Sequence, residues 1–442
     1  MQFVLFQILI LLFVSTLAAG QNSSDQSAIQ LSEAIERTLE NATHIRIAEA
    51  DKEAAEAGSG FLSSGYMPVI NSSLSYTRSQ FPQIIVPIRQ QASFPPIDNE
   101  LYDATVQADW KLFDFGESRA VRQKALALAD AANIKYELAK METIESTTSA
   151  FVQLEQLKEL KNVQIERLEA LKRNRDQLES LRREGRVADV DLLKIEDTIL
   201  SAETIVISTE NSIDRLLQIL SDDLAFKGKL TLNDIITPVF KNDILLNPDN
   251  PAIEEAPSVI AAREQWMASE FEKKASYRAF LPSVNLFASE QFRSGSNFEI
   301  DDQWMVGLRL NIPIFTGKQI VNNQVKKNEA KSKEIQLEQA RQIYRQQLND
   351  LTNAQFETEK RIESSKTRVK YLEETYRIET ISYREGRSTL TDLLTTESTL
   401  NSVRAELIAM RAQLRLLNLN IAVLTGQLTK EMAIKLAEGE QL

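Results

Sequence analysis

The sequence predicts an α+β membrane protein in which β-barrel strands run on into long helical hairpins, with that plan written twice along the chain. Three observations predict it. The run Arg183-Glu184-Gly185-Arg186 recurs as Arg384-Glu385-Gly386-Arg387, and an aromatic–glycine corner recurs upstream of each, at Trp110–Gly116 and at Ile312–Gly317. The interval from Gly116 to Gly185 and that from Gly317 to Gly386 are equal, at 69 residues. Ahead of each corner lie two segments that alternate apolar and polar residues with the period of a strand.

Each element follows from its residues. Neither 69-residue interval contains Pro or an internal Gly, and both are rich in Ala, Leu, Glu, Lys, Gln and Arg, which are strong helix formers. At 1.5 Å per residue each is a rod of roughly 100 Å. Loops would not keep such a length, whereas a rod must, because its length sets where its two ends sit. In the second rod Leu337, Tyr344, Leu351, Leu372 and Leu348, Ile362, Val369, Tyr376, Tyr383 fall on two positions of one heptad frame. Arg341, Gln355, Thr358, Ser365 and Glu379 interrupt it. Such a narrow seam suits a helix that packs side by side yet also faces water. Gly185 and Gly386 suit the left-handed position that ends a helix. Helical periodicity resumes at once, so each rod turns and returns.

The strands have the pattern of a bilayer crossing. Trp304, Val306, Leu308, Leu310 and Ile312 alternate with Met305, Gly307, Arg309 and Asn311. Tyr102, Ala104, Val106, Ala108, Trp110 and Leu112 alternate with Asp103, Thr105, Gln107, Asp109 and Lys111. One face suits lipid and the other an aqueous lumen. Tyr76, Trp110, Phe113, Phe115, Trp304 and Phe315 are candidate membrane-interface aromatics. The intervening segment 81–99 holds four Pro and reads as an exposed loop. Four strands cannot close a barrel, and open edges in lipid leave backbone groups unsatisfied, so the pattern demands oligomerisation without giving its number.

Residues 1–20 read as a secretory signal: Phe3 to Val14 is almost wholly apolar and Ala18-Ala19-Gly20 permits cleavage before Gln21. A basic residue ahead of the apolar core is missing, and a short membrane anchor is the alternative. Downstream no stretch reaches 18 consecutive apolar residues, so strands, not helices, are the expected crossing elements. The expected organisation is repeat 1 over 28–220 (strands about 68–80 and 101–113, helices 116–184 and 188–220) and a linker over 221–256. Repeat 2 follows over 257–428 (strands about 282–293 and 302–314, helices 317–385 and 389–425), then a tail over 429–442.

Composition narrows the function classes. The chain of 442 residues has no Cys and a single His, His44. That excludes thiolate chemistry and leaves a zinc site or a Ser-His-Asp triad resting on one residue. A net charge of −12 argues against a nucleic-acid partner. There is no phosphate-binding Gly-x4-Gly-Lys-Ser/Thr loop. The pairs Asp222-Asp223 and Asp301-Asp302 read as solvated charge in linker and loop. No catalytic residue, metal or cofactor is expected.

These anchors together resemble the TolC family of outer-membrane efflux and secretion ducts, over Ile29 to Leu428. The most specific elements are the corners at Phe113-Asp114-Phe115-Gly116 and Phe315-Thr316-Gly317, and the turns from Gly185 to Asp191 and from Gly386 to Asp392. The Pro-initiated strands at Met67-Pro68 and Leu281-Pro282 fit as well, as does the Asn247–Pro251 run ahead of the second repeat. The resemblance implies a homotrimer with a twelve-stranded β-barrel, four strands per protomer, continued into a twelve-helix periplasmic α-barrel. Its linker and tail form an equatorial belt. It implies a passive exit duct in the outer membrane, in contact with its lipid, serving a tripartite efflux pump or type I secretion system. Its partners are then a periplasmic adaptor (membrane fusion) protein and an inner-membrane transporter.

The resemblance places the pore constriction at Asp191 and Asp392, with Arg186 and Arg387 nearby. Adaptor docking falls to Arg183, Gly185, Arg384 and Gly386. A second Asp present in some members is Thr395 here, and an Arg used by some to hold the closed state is Ser388. The same residues have a simpler reading: Asp189, Asp191, Ser388 and Thr389 are types that cap a helix after a Gly turn, and the arginines are favourable charge at helix C-termini. A soluble periplasmic coiled-coil adaptor or scaffold is the competing function.

Overall fold

The structure, a computed structural model, describes residues 28–63, 67–85, 97–185, 187–226, 228–243, 245–246, 253–297 and 300–440. The signal-like segment 1–20, Arg186 and the Asn247–Pro251 run lie outside the described residues. In chain order the elements are β1 (Ile29–Gln30), α1 (Leu31–Asn41), α2 (Thr43–Ser63), β2 (Val69–Ile84), β3 (Ile97–Phe113), α3 (Glu117–Arg183) and α4 (Asp189–Asp223). There follow β4 (Ile235–Ile236), α5 (Pro257–Arg278), β5 (Ser283–Ser294), β6 (Asp301–Asn311), α6 (Gly317–Arg384), α7 (Leu390–Leu424) and α8 (Lys430–Glu438).

Two single helices carry the length. α3 has 67 residues and α6 has 68, each about 100 Å long at 1.5 Å per residue. Both end in the same way. Gly185 (φ 73°) and Gly386 (φ 72°) are left-handed, and their N–H groups return to the carbonyls of Arg182 and Tyr383 at 2.9 and 3.0 Å. At the second turn the Arg387 N–H also reaches the Ser382 carbonyl at 2.8 Å, completing a Schellman motif. Two antiparallel hairpins result, α3–α4 and α6–α7. Near the strands the helices lie in the order α2–α3–α5–α6; toward the turns α4 and α7 take the places of α2 and α5.

The four long strands form one antiparallel sheet, ordered β2–β3–β5–β6. Its register aligns Leu74, Ala104 and Phe292 in one row, and Trp110, Leu286 and Leu308 in another, so the apolar alternation of every strand falls on one face. The opposite face is polar and internally bonded. There Asp103 accepts from Thr105 (2.9 Å), Gln291 (2.7 Å) and Arg293 (2.7 Å). Among the described residues β2 and β6 each have a single sheet neighbour, so both outer edges are open.

The polar residues that break the heptad of α6 are inside. Gln355, Thr358 and Ser365 are buried on the same seam as Leu337, Tyr344 and Ile362. Gln355 donates to the Leu246 carbonyl at 3.0 Å and to Asn418 Oδ1 at 2.8 Å. Sequence periodicity treats these as gaps, but each is a buried position of the seam, and the Gln355 amide is satisfied there.

The main core sits at mid-height, where α1, α3, α4, α7 and α8 meet. The expected tail 429–442 is therefore mostly a helix, α8, started by Thr429, whose hydroxyl accepts from the Met432 N–H at 3.2 Å. Ala433, Leu436 and Ala437 of α8 are buried. Within the linker, Ile235–Ile236 pairs in parallel with Ile29–Gln30. α7 is long and apolar enough over an 18-residue window to meet the length and composition of a membrane span. It is instead a core helix, packed on α6 and α3, and it carries the buried charges Glu397 and Arg415.

Candidate functional site

The hairpin turns bring the repeated motif residues to one end of the molecule. Thr389 is the N-cap of α7 and forms a capping box with Asp392. The Asp392 N–H donates to Thr389 Oγ1 at 3.2 Å, and Thr389 Oγ1 donates to Asp392 Oδ2 at 2.6 Å. These hydrogen bonds hold the exposed Asp392 carboxyl below its ordinary range. Asp191 occupies the matching place in α4, but the N-cap there is Ala188, with no side-chain bond. The Asp191 carboxylate lies 4.0 Å from Lys194 Nζ. The repeat therefore gives two acids of equal position and unequal bonding.

Between the hairpins a small apolar core joins Leu171 and Leu178 of α3, Ile195 and Ile199 of α4, and Leu390 of α7. Tyr383 packs against it with a buried hydroxyl that has no bonding partner among the described residues. Burial raises its pKa, and the charge of Asp191 adds in the same direction. Lys194 Nζ donates to Thr391 Oγ1 across the hairpins at 3.2 Å. Around the turns, Arg182 pairs with Asp189 at 2.6 Å, Arg387 contacts Glu385, and Ser388 donates to Glu379 at 2.5 Å. Arg183 Nε reaches the Glu179 carbonyl at 3.4 Å, and Arg384 is exposed in the last turn of α6. A Cβ on Gly185 or Gly386 meets nothing within 4 Å, so these turns are open surface.

Further up, Arg167 of α3 grips Glu397 of α7 with two bonds, 2.9 and 3.2 Å, and both side chains are nearly buried. Repetition singles out Glu397 but gives no hint of its partner, 230 residues away. A second tie fixes the linker. Asp243 accepts from Lys366 of α6 at 2.6 Å and from Arg411 of α7 at 3.0 Å. Arg415, stacked over Phe240 at 3.9 Å, donates to the carbonyls of Asn242 and Ala437. Burial pulls Arg415 down to about 10, which leaves it charged at neutral pH.

At the other end the sheet face presents the aromatic residues singled out by the sequence. Tyr76 and Tyr102 face each other across β2 and β3 with ring centres 4.9 Å apart. Trp304 stands 72% exposed on β6. At the strand-to-helix corners, Phe113 meets Phe115 edge-on at 4.7 Å, and Ile314 and Phe315 are 94% and 81% exposed. The two corners differ. Phe115 and Gly116 are both left-handed (φ 53° and 87°), with the Gly116 carbonyl held by Arg278 at 2.7 Å. Gly317 has no such constraint. His44 is bonded to Thr143 of α3 at 2.7 Å. Among the described residues no cluster of His, Cys, Asp or Glu is arranged to hold a metal ion.

This combination, a one-sided apolar sheet joined to two helical hairpins, is the architecture of outer-membrane channels. The chain resembles CusC (15% identity, TM-score 0.79, covering 92% of this chain and 95% of that one). It resembles the outer-membrane channel OprN (20%, TM-score 0.79, covering 90% of each). It also resembles VceC of Vibrio cholerae (19%, TM-score 0.74, covering 90% of this chain and 96% of that one). A comparison with curated protein sequences gave no significant match. The model of the outer membrane efflux protein family matches residues 34–221 and 250–427, and the chain belongs to that family.

Proposed function

We propose that the chain is the passive outer-membrane exit duct of a tripartite efflux pump or type I secretion system. Three copies close a twelve-stranded barrel and extend it through the periplasm as a tunnel of helical hairpins. The observation that carries this reading is the four-stranded sheet: one face mainly apolar, one face polar and, among the described residues, both edges open. Such a sheet is stable in lipid only when neighbouring copies complete it.

The helices carry a matching unpartnered surface. On α4, Leu193, Leu200 and Ile207 recur every seven residues and stand 65%, 63% and 57% exposed. A heptad stripe facing away from its own chain suits a second copy. The turns then form the periplasmic entrance. Asp191 and Asp392 line its constriction, with Arg186 and Arg387 beside them, and Arg183, Gly185, Arg384 and Gly386 offer the adaptor an open docking surface. An inner-membrane transporter supplies the energy, since the duct moves cargo down its own gradient.

Single-channel recording on the trimer in planar bilayers tests the reading. Asp191→Asn with Asp392→Asn is expected to lower cation selectivity while leaving detergent-solubilised mass and barrel assembly intact. A monomer that needs no detergent sinks the duct reading. A conducting trimer whose ion selectivity ignores both substitutions sinks the assignment of the constriction.

A further inference from the structure

We propose that the outer rim of the sheet carries a built-in site for a phosphorylated, acylated lipid of the outer leaflet, with one acyl chain in a cleft on the lipid face and the phosphate on Arg78. The inference rests on the duct reading, in which β2, β3, β5 and β6 cross the membrane with their loops outward.

The cleft follows from the register. In the row Leu74–Ala104–Phe292 a small residue lies between two large ones. In the next row outward, Tyr76–Tyr102–Ser294, the small residue is at the other end. The two gaps join into a cleft of about 260 Å³ that Ile300 also lines, its open surface mainly apolar although Asp103 and Arg293 border it.

The charge lies at the right place. β2 continues past Leu74 and Tyr76 to Arg78 on the same face, because side chains alternate. Two residues at about 3.3 Å each put the Arg78 backbone roughly 7 Å beyond the Tyr76–Tyr102 pair, on the side where an interfacial phosphate sits above its acyl chains. The Arg78 side chain is 75% exposed, and among the described residues its ion partner is Glu100 at 3.8 Å. That distance is too long for a hydrogen bond, so the planar fork keeps donors for a phosphate. Glu100 and, deeper on the same face, Glu290 oppose an anion. The site therefore needs the apolar cleft and the arginine together, and a free phosphate ion lacks the first of these.

The test uses the delipidated trimer in detergent, incubated with bisphosphorylated lipid A, dephosphorylated lipid A or phosphatidylglycerol, and reads retained lipid by native mass spectrometry. Wild type is expected to keep lipid A best. Arg78→Gln is expected to cut retention of the bisphosphorylated form by about tenfold, down to the level of the dephosphorylated one. Ala104→Phe fills the cleft and is expected to abolish retention of both. Should that variant not assemble, Phe292→Ala removes a wall and is expected to weaken both. Arg78→Gln and wild type retaining the two forms equally overturns the site. Equal retention of phosphatidylglycerol overturns its assignment to the outer leaflet. An assembled barrel that keeps no lipid defeats the inference while leaving the duct reading intact; a chain that never forms a barrel defeats both.

Discussion

At the two hairpin turns a single backbone angle decides the geometry. Gly185 and Gly386 hold φ near +70°, a region that costs a side chain about 1–2 kcal/mol. Nothing lies within 4 Å of the Cβ either residue lacks, so the cost of Ala there is purely conformational. Gly386→Ala is expected to destabilise the turn by about that amount, seen as faster hydrogen exchange in the first turn of α7. Gly317→Ala is the control. Gly317 opens α6 without a positive φ and with open space around it, so Ala there is expected to be neutral or stabilising by up to about 1 kcal/mol. The twin corners look alike in sequence, yet only Gly116 is conformationally required. Asp392 shows the converse: capping and a place at the pore entrance are compatible readings, because a capped carboxylate is still exposed and ionised.

The elements were legible to different degrees. Helix length could be read directly, because a run without Pro or Gly of strong helix formers leaves the chain little alternative. Strand faces could be read from period two. What holds helix to helix could not. Arg167 and Glu397 are buried partners on α3 and α7, and each alone reads as ordinary helix-surface charge. Arg167→Ala leaves a buried carboxylate unpaired, at a cost of about 3–5 kcal/mol. The expected result is loosened contact between the hairpins, measured as protease sensitivity at mid-helix. Adding Glu397→Leu is expected to recover most of the loss. Gln355, Thr358 and Ser365 carry the same lesson. They look like gaps in a seam until the linker arrives to bond Gln355 through Leu246.

The whole molecule adds two predictions. If the sheet faces lipid on its even-numbered β6 residues, Leu308→Lys is expected to cost about 2–4 kcal/mol near the bilayer midplane. Met305→Lys, on the opposite face, is expected to be tolerated. The yield of folded barrel on gel electrophoresis without boiling separates them. The linker tie is acid-sensitive with a fixed sign. Burial raises the Asp243 carboxyl, but bonds and charge from Lys366 and Arg411 outweigh it, so the net shift is downward. A depressed acid contributes stability above its unfolded pKa of about 3.9 and loses it as pH falls through the lower folded value. Hydrogen exchange in α8 is therefore expected to stay slow from neutral pH to about 4 and to rise below it. Asp243→Asn is expected to speed that exchange already at pH 7.

The sequence by itself determined the lengths, the faces and the duplication. These are local properties: helix propensity, strand alternation and glycine turns act within a few residues, and a repeated plan repeats them. Only the tertiary structure decided which rows of the sheet align, which polar seam residues are core, and that the C-terminal segment folds back as α8. It also decided that Arg167 meets Glu397 and that Asp243 gathers Lys366 and Arg411. Those choices join residues far apart in the chain, and whether a charge is buried and paired or solvated depends on what packs over it. The cleft below Arg78 belongs to this second kind, since it exists only where the register sets Ala104 between Leu74 and Phe292.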